Sequence, residues 1–175
     1  MKGITYWLFG ISGTGKSTIA QAWHQRWPSQ GRPVVVLDEE YLKQGINSDL
    51  SASSIMKDEP TRRIAELAKL FNTNGSDVIV AAITPLQSQR TLALEIIGKL
   101  AFKEIYIDAP IQICQRRDPK GIYVKALSGR MNHFPGVNAP FELPSTNVLK
   151  ISTDQCSVAQ AVELIQSTFF ENKKA

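Results

Sequence analysis

The run Gly10-Ile11-Ser12-Gly13-Thr14-Gly15-Lys16-Ser17 fits the spacing G-x-x-x-x-G-K-[ST], and its surroundings decide how it is read. Just before it, Ile4 to Phe9 is an apolar, aromatic-rich run of the kind that forms a buried strand. Just after it, Ile19, Ala20, Ala22 and Trp23 recur at helical spacing. A glycine-rich loop between a strand end and a helix start is a P-loop. Its glycines let successive backbone N–H groups curl inward onto an anion, and the helix N-terminus adds a partial positive charge. Lys16 would reach the β- and γ-phosphates of a nucleotide, and the Ser17 hydroxyl would complete the shell of a Mg²⁺ ion.

Working outward, Pro33 to Asp38 is a short apolar run ending in a carboxylate, which reads as a buried parallel strand with Asp38 at its carboxyl edge. In an open α/β sheet that edge is where ligands sit. Glu39 to Glu59 is polar and weakly periodic, enough for one short helix and loops. From Thr61, the residues Ile64, Leu67, Ala68, Leu70 and Phe71 mark an amphipathic helix closed by Asn74-Gly75. Strands are expected at Val78 to Ile83, Lys103 to Asp108 and Val148 to Ile151, with helices at Gln87 to Leu100, Ile111 to Arg117, Val124 to Met131 and Val158 to Phe170. Asn132 to Pro144, rich in Pro, Gly, Asn and aromatics, reads as loop or lid. The alternation implies an α/β chain with a parallel sheet covered on both faces.

The chain has 175 residues, the size of one domain, and 43% hydrophobic content with no apolar run near the roughly 20 residues of a membrane span. Met1 runs almost directly into the first strand, so no signal peptide is expected. Cys114 and Cys156 are its two cysteines, too few for a disulfide framework, which favours a reducing cytoplasm. The net charge of +4 suits small anions. Arg62-Arg63, Arg116-Arg117 and the stretch Lys120 to Arg130 lack the interleaved aromatics that a nucleic-acid polymer would want.

Beyond the P-loop, further phrases follow in order. Asp38-Glu39-Glu40-Tyr41-Leu42-Lys43-Gln44-Gly45-Ile46-Asn47-Ser48-Asp49-Leu50 resembles the D-G-D-N-V-R-x-G-L-N-x-D-L of adenylylsulfate kinases. Arg62 to Phe71 is similar to that family's R-R-I-x-E-V-A-K-L-F helix, and Thr84-Pro85 with Arg90 to its S-P-x-x-x-x-R. Arg117-Asp118-Pro119-Lys120-Gly121-Ile122-Tyr123 is close to R-D-P-K-G-L-Y, and Phe134-Pro135-Gly136-Val137 with Pro140 to Pro144 resembles F-T-G-I and P-Y-E-x-P. The resemblance implies a three-layer P-loop NTPase fold with a mostly parallel sheet of about five strands. It further implies a single kinase domain over 1–175 with a lid at about 117–144, moving the γ-phosphoryl of ATP onto the ribose 3′-hydroxyl of adenylylsulfate. Gly10, Ser12, Gly13, Thr14, Gly15, Lys16, Ser17, Thr18, Arg117 and Lys120 are then expected on ATP. Ser17 and Asp38 are expected at Mg²⁺, with Lys16 and Asp38 catalytic, Asp38 holding a metal-bound water or accepting the hydroxyl proton. The resemblance assigns the small-molecule nucleotide acceptor to Glu40, Lys43, Asn47, Lys57, Arg62, Thr84, Lys125 and Phe134. A homodimer is compatible with it.

The departures from the family pattern fall on the acceptor side. Glycine, aspartate and asparagine of D-G-D-N are Glu39, Glu40 and Tyr41, and the arginine is Lys43. In the following D-L-G-F-S-x-x-D-R-x-x-N, the stacking aromatic is Ala52, the arginine is Lys57 and the asparagine is Pro60. A lost stack forfeits about 1–3 kcal/mol per base, and lysine lacks the planar fork of arginine. Three readings follow: an adenylylsulfate kinase whose pocket compensates, for example through Tyr41; a paralogue with another acceptor, such as a cytidine diphosphate derivative of the cytidine diphosphoramidate type; or a nucleotide-binding module without catalysis. Intact Lys16, Ser17 and Asp38 argue against the last. If Ala52 lies in the acceptor pocket, Ala52→Phe changes acceptor KM much more than ATP KM.

Overall fold

The computed structural model describes residues 2–28, 31–118, 120–144 and 148–170; Pro119 of the lid phrase and the side chain of Ala52 lie outside what is described. Five parallel strands, β1 (Thr5–Phe9), β2 (Val34–Asp38), β3 (Asp77–Ala82), β4 (Phe102–Asp108) and β5 (Leu149–Ser152), run in the order β2-β3-β1-β4-β5. Every pairing is parallel, which brings Asp38 opposite Ala81 and Phe9 opposite both Ala82 and Tyr106. The carboxyl ends of β2, β3, β1 and β4 therefore share one edge. Asp38 is two strands from the P-loop strand, because β3 inserts between β2 and β1.

The side chains of β1 alternate between two cores. Tyr6 and Leu8 pack with Ile19 and Trp23 of α1 (Lys16–Gln25) and Val162 and Ile165 of α7 (Val158–Phe169). Trp7 and Phe9 pack with Ile64 and Ala68 of α3 (Asp58–Thr73) and Ala93 and Ile97 of α4 (Gln87–Ile97). Period-two alternation on a strand covered by helices on both faces produces this three-layer sandwich.

Several boundaries differ from the sequence reading for identifiable reasons. Helix α1 stops at Gln25, ahead of Trp27-Pro28, where the proline disfavours helical geometry in the residue before it. Helix α3 starts three residues before Thr61, since Pro60 falls in its first turn, where a missing N–H costs nothing, behind Asp58 and Glu59, whose charges suit the helix N-terminus. Helix α4 ends before Gly98, whose φ of 96° breaks the helix. The polar stretch after β2 is a single turn, α2 (Glu39–Leu42), then loop and a 3₁₀ turn at Ala52–Met56.

A smaller cluster supports the lid. Ala109, Cys114 of α5 (Ile111–Arg117), Tyr123 and Ala126 of α6 (Ile122–Leu127) and Phe134 form it, with Tyr123 and Phe134 meeting edge to face at 4.9 Å. The far end of the lid is tied to α4. The Glu142 N–H donates to Pro85 O at 2.8 Å, and the Gln87 N–H donates to Glu142 Oε2 at 2.6 Å. Arg90 donates from Nη2 to Glu142 O at 2.9 Å while its guanidinium lies 4.5 Å over the Phe9 ring.

Candidate active site

The P-loop is held in shape by contacts within the chain. A Cβ on Gly10 would sit 2.2 Å from Ile107 O, and Gly15 caps α1 at a φ of 96°, so both positions need glycine. Tyr123 Oη donates to Ser12 O at 2.7 Å, Thr14 Oγ1 to Ile11 O at 3.0 Å, and Thr153 Oγ1 to Thr14 O at 2.8 Å. Arg117 donates to Gly13 O at 3.3 Å and to Thr153 Oγ1 and O at 2.9 and 2.8 Å. Asp118 in turn accepts from the N–H groups of Ile122 and Tyr123, both at 2.9 Å, which fixes the helix carrying Tyr123. The Arg117 to Tyr123 phrase is thus a brace behind the loop.

Lys16 is buried, with Nζ donating to Ile11 O at 2.8 Å, and burial lowers its pKa to about 8 against the opposing charges of Glu39 and Asp38. A triphosphate in the loop would restore the charge-favouring environment that burial removes.

Two cavities meet at the sheet edge. The larger, about 540 Å³, is lined by Gly13, Gly15, Lys16, Ser17, Thr18 and Asp38, with Arg117 and Lys120 at its lid side. The other, about 350 Å³ and mostly apolar, is lined by Glu40, Lys43, Asn47, Leu50, Ile55 and Phe134 among others. Ser12, Glu39, Glu40, Ile83, Lys120 and Ile122 line both, so the two form one continuous cleft. A third cavity, about 220 Å³, extends from Thr14, Gly15 and Thr18 to Arg117, Thr153 and Cys156.

The junction carries alternating charges. Glu39, buried, accepts from the Ile83 N–H at 2.8 Å and pairs with Lys43 Nζ at 3.1 Å. Lys43 also reaches Glu40 Oε1 at 3.2 Å, and Glu40 Oε2 pairs with Lys120 across the cleft. Partial burial opposes ionisation of Glu40, but Lys120 and Lys43 outweigh it and hold its carboxyl below the ordinary range. The same balance raises Lys43, where Glu39 and Glu40 outweigh burial. Asn47 is 3% exposed, and neither its Nδ2 nor its Oδ1 has a protein partner. An orphaned buried amide costs about 1–3 kcal/mol unless something else satisfies it.

The P-loop residues, Asp38, Arg117 and Lys120 are brought together, as are Glu40, Lys43, Asn47 and Phe134. Four other residues expected at the acceptor lie elsewhere. Arg62 is exposed and forks onto Glu59 at 2.7 and 2.9 Å, while Lys57 and Lys125 are exposed and line neither cavity of the cleft. Thr84 is buried at a φ of 41°, accepting from Trp7 Nε1 at 2.9 Å through Oγ1 and from Arg90 Nη1 at 2.9 Å through its carbonyl, and so anchors the turn after β3. Tyr41 is 71% exposed on the rim of the P-loop cavity and does not line the apolar one, so it supplies no replacement stack there. Glu39 and Thr153 were missed as site residues. Glu39 stood out only as a charge in a family glycine position, and Thr153 signalled itself only by following the last strand at the ligand edge.

For Mg²⁺, Ser17 and Asp38 offer hard oxygen donors in the P-loop cavity. Among the described residues no group of three or more His, Cys, Asp or Glu could hold a metal ion.

Comparison with known proteins identifies the family. The family model described as Adenylylsulphate kinase matches residues 2–152. An adenylyl-sulfate kinase from Paraburkholderia xenovorans is 41% identical over 162 residues, covering 93% of this chain and 90% of its own. The structure of the Mycobacterium tuberculosis APS kinase CysC in complex with AMPPNP and APS superposes with a TM-score of 0.87 at 36% identity, covering 94% and 95% of the two chains. A hexameric APS kinase from Thiobacillus denitrificans gives a TM-score of 0.72 at 26% identity, over 98% of this chain and 29% of that one. With a braced P-loop opening into a second cavity and a family match over most of its length, the chain belongs to the adenylylsulfate kinase family.

Proposed function

We propose that the chain transfers the γ-phosphoryl group of ATP to the ribose 3′-hydroxyl of adenylylsulfate, giving 3′-phosphoadenylylsulfate. The observation that carries this is the single cleft in which a phosphate-binding cavity opens through shared walls into an apolar cavity sized for a nucleotide. The triphosphate lies along Gly13 to Ser17 with Lys16 on its terminal phosphates, and its nucleoside extends toward Arg117, Thr153 and Cys156. Ser17 and Asp38, together with the phosphates, would hold a Mg²⁺ ion, which would supply charge neutralisation. Glu40, Lys43, Asn47 and Phe134 face the acceptor. Closure of a lid over 117–144, within one kinase domain, excludes water from the transferred group.

Among the described residues lining the apolar cavity, Phe134 and His133 are the only aromatic rings. A one-sided platform asks less of a pyrimidine than of adenine, which supports a cytidine diphosphate derivative as the second reading. Turnover of ATP with each acceptor separates them: rapid ADP release with adenylylsulfate and slow release with the cytidine nucleotide is expected, and the reverse order replaces the first reading by the second. No described helix is long and apolar enough to cross a membrane, and a cytoplasmic enzyme is the reading that fits two free cysteines. Self-association into a homodimer is checked by light scattering.

A further inference from the structure

We propose that Glu39 is the carboxylate that receives and orients the acceptor's hydroxyl, leaving Asp38 on the phosphate side of the cleft; this rests on the function proposed above. The two residues are consecutive, yet the end of β2 sends them to different tasks. Asp38 caps α2, its Oδ1 accepting from the Glu40 N–H at 2.9 Å, and it lines the P-loop cavity alone. Glu39 opens the helix and lines both cavities. A hydroxyl carried by a molecule in the apolar cavity meets Glu39 before it meets the γ-phosphate.

The carboxylate is built to receive it. Its Oε2 is fixed by the Ile83 N–H at 2.8 Å and its Oε1 by Lys43 Nζ at 3.1 Å, so the side chain is held in one orientation by partners on two different elements. An ionised carboxylate has about four acceptor sites, so each oxygen keeps capacity after these two bonds. Lys43 balances its charge, so a buried anion can stand at the junction beside an incoming polyphosphate. Glu39 shares the P-loop cavity with Lys16, which puts it on the path between the apolar cavity and the place a terminal phosphate would take. No other carboxylate among the described residues combines burial with a place in both cavities: Glu40, the alternative, is half exposed and engaged with Lys43 and Lys120.

The test compares binding of adenylylsulfate with that of its 3′-deoxy analogue to the wild-type chain, Glu39→Gln and Glu39→Ala, all loaded with a non-hydrolysable ATP analogue, alongside kcat and both KM values. A hydrogen bond to a charged group makes the wild type prefer the hydroxylated acceptor by about tenfold to a hundredfold. That ratio should shrink to a few-fold in Glu39→Gln, which keeps an oxygen for the Ile83 N–H, and to about one in Glu39→Ala. The kcat should fall in both with ATP KM little changed. A merely structural Glu39 would lower the melting temperature and leave the hydroxyl-to-deoxy ratio untouched, and an unchanged ratio in both variants overturns the proposal. If the wild type phosphorylates only a cytidine diphosphate derivative, the proposed acceptor falls, and the hydroxy and deoxy forms of that nucleotide decide on Glu39 in the same way.

Discussion

Two walls face each other across Glu39, and they are made differently. On the phosphate side, every described contact that shapes the loop is already satisfied: Tyr123 on Ser12, Thr153 on Thr14, Arg117 on Gly13, with Asp118 holding Tyr123 in turn. On the acceptor side, Asn47 is buried with both amide atoms unpartnered, and Lys43 and Lys120 hold carboxylates of the chain itself. One wall presents backbone groups pre-set for an anion that is always the same. The other keeps side chains in reserve for a molecule whose identity they must read.

Substitutions can break that contrast or sharpen it. The largest effect is expected from Lys16→Met, which removes the one buried cation of the P-loop: kcat/KM for ATP should drop by about 10³-fold in a coupled ADP-release assay, as when other preorganised donors to a transition state are removed. A loss below tenfold would deny Lys16 its role at the phosphates. Next is Asn47→Leu. Replacing an unsatisfied buried amide by an apolar group of similar size should leave the melting temperature equal or higher, yet raise acceptor KM by roughly tenfold, with ATP KM unchanged. A large drop in melting temperature would show the amide to be satisfied within the fold.

Tyr123→Phe deletes the bond to Ser12 O and should raise ATP KM by about fivefold, the worth of one neutral hydrogen bond, without touching acceptor KM. Equal changes in both would mean that the brace serves the whole cleft. The smallest effect concerns the thiols. Burial pushes the Cys114 thiol up, while half-buried Cys156 lines the third cavity. Mass spectrometry after iodoacetamide treatment should find Cys156 alkylated well before Cys114, and a few-fold slower when an ATP analogue is present. Absence of protection would remove Cys156 from the nucleoside's surroundings.

The same contrast explains what the sequence made legible. Strand and helix order, the two-sided core and the P-loop follow from local patterning, because glycine spacing and apolar periodicity are properties of adjacent residues. The Arg117 to Tyr123 phrase was recognisable as a segment, though its work as a brace depends on Ser12, 111 residues from Tyr123. On the acceptor wall, Arg62 and Lys57 carried the right charge on the wrong face: a helix beginning at Asp58 turns Arg62 onto Glu59, while Arg63 clamps Asp49 at 2.9 Å through Nη2. Glu39 was the reverse case. In sequence it was only a departure from a pattern, and its meaning depends on Ile83, 44 residues away at the end of the neighbouring strand.

The chain of charges from Glu39 through Lys43 and Glu40 to Lys120 crosses the junction of the two cavities. If a phosphate recruits Lys120, it would do so by displacing Glu40, so occupancy would be an exchange of one anion for another rather than the capture of a bare cation. Affinity would then be the difference between two pairings, and the displaced carboxylate could reclaim its lysine as the product leaves. On that reading, release would draw on the same side chains that admit the ligand.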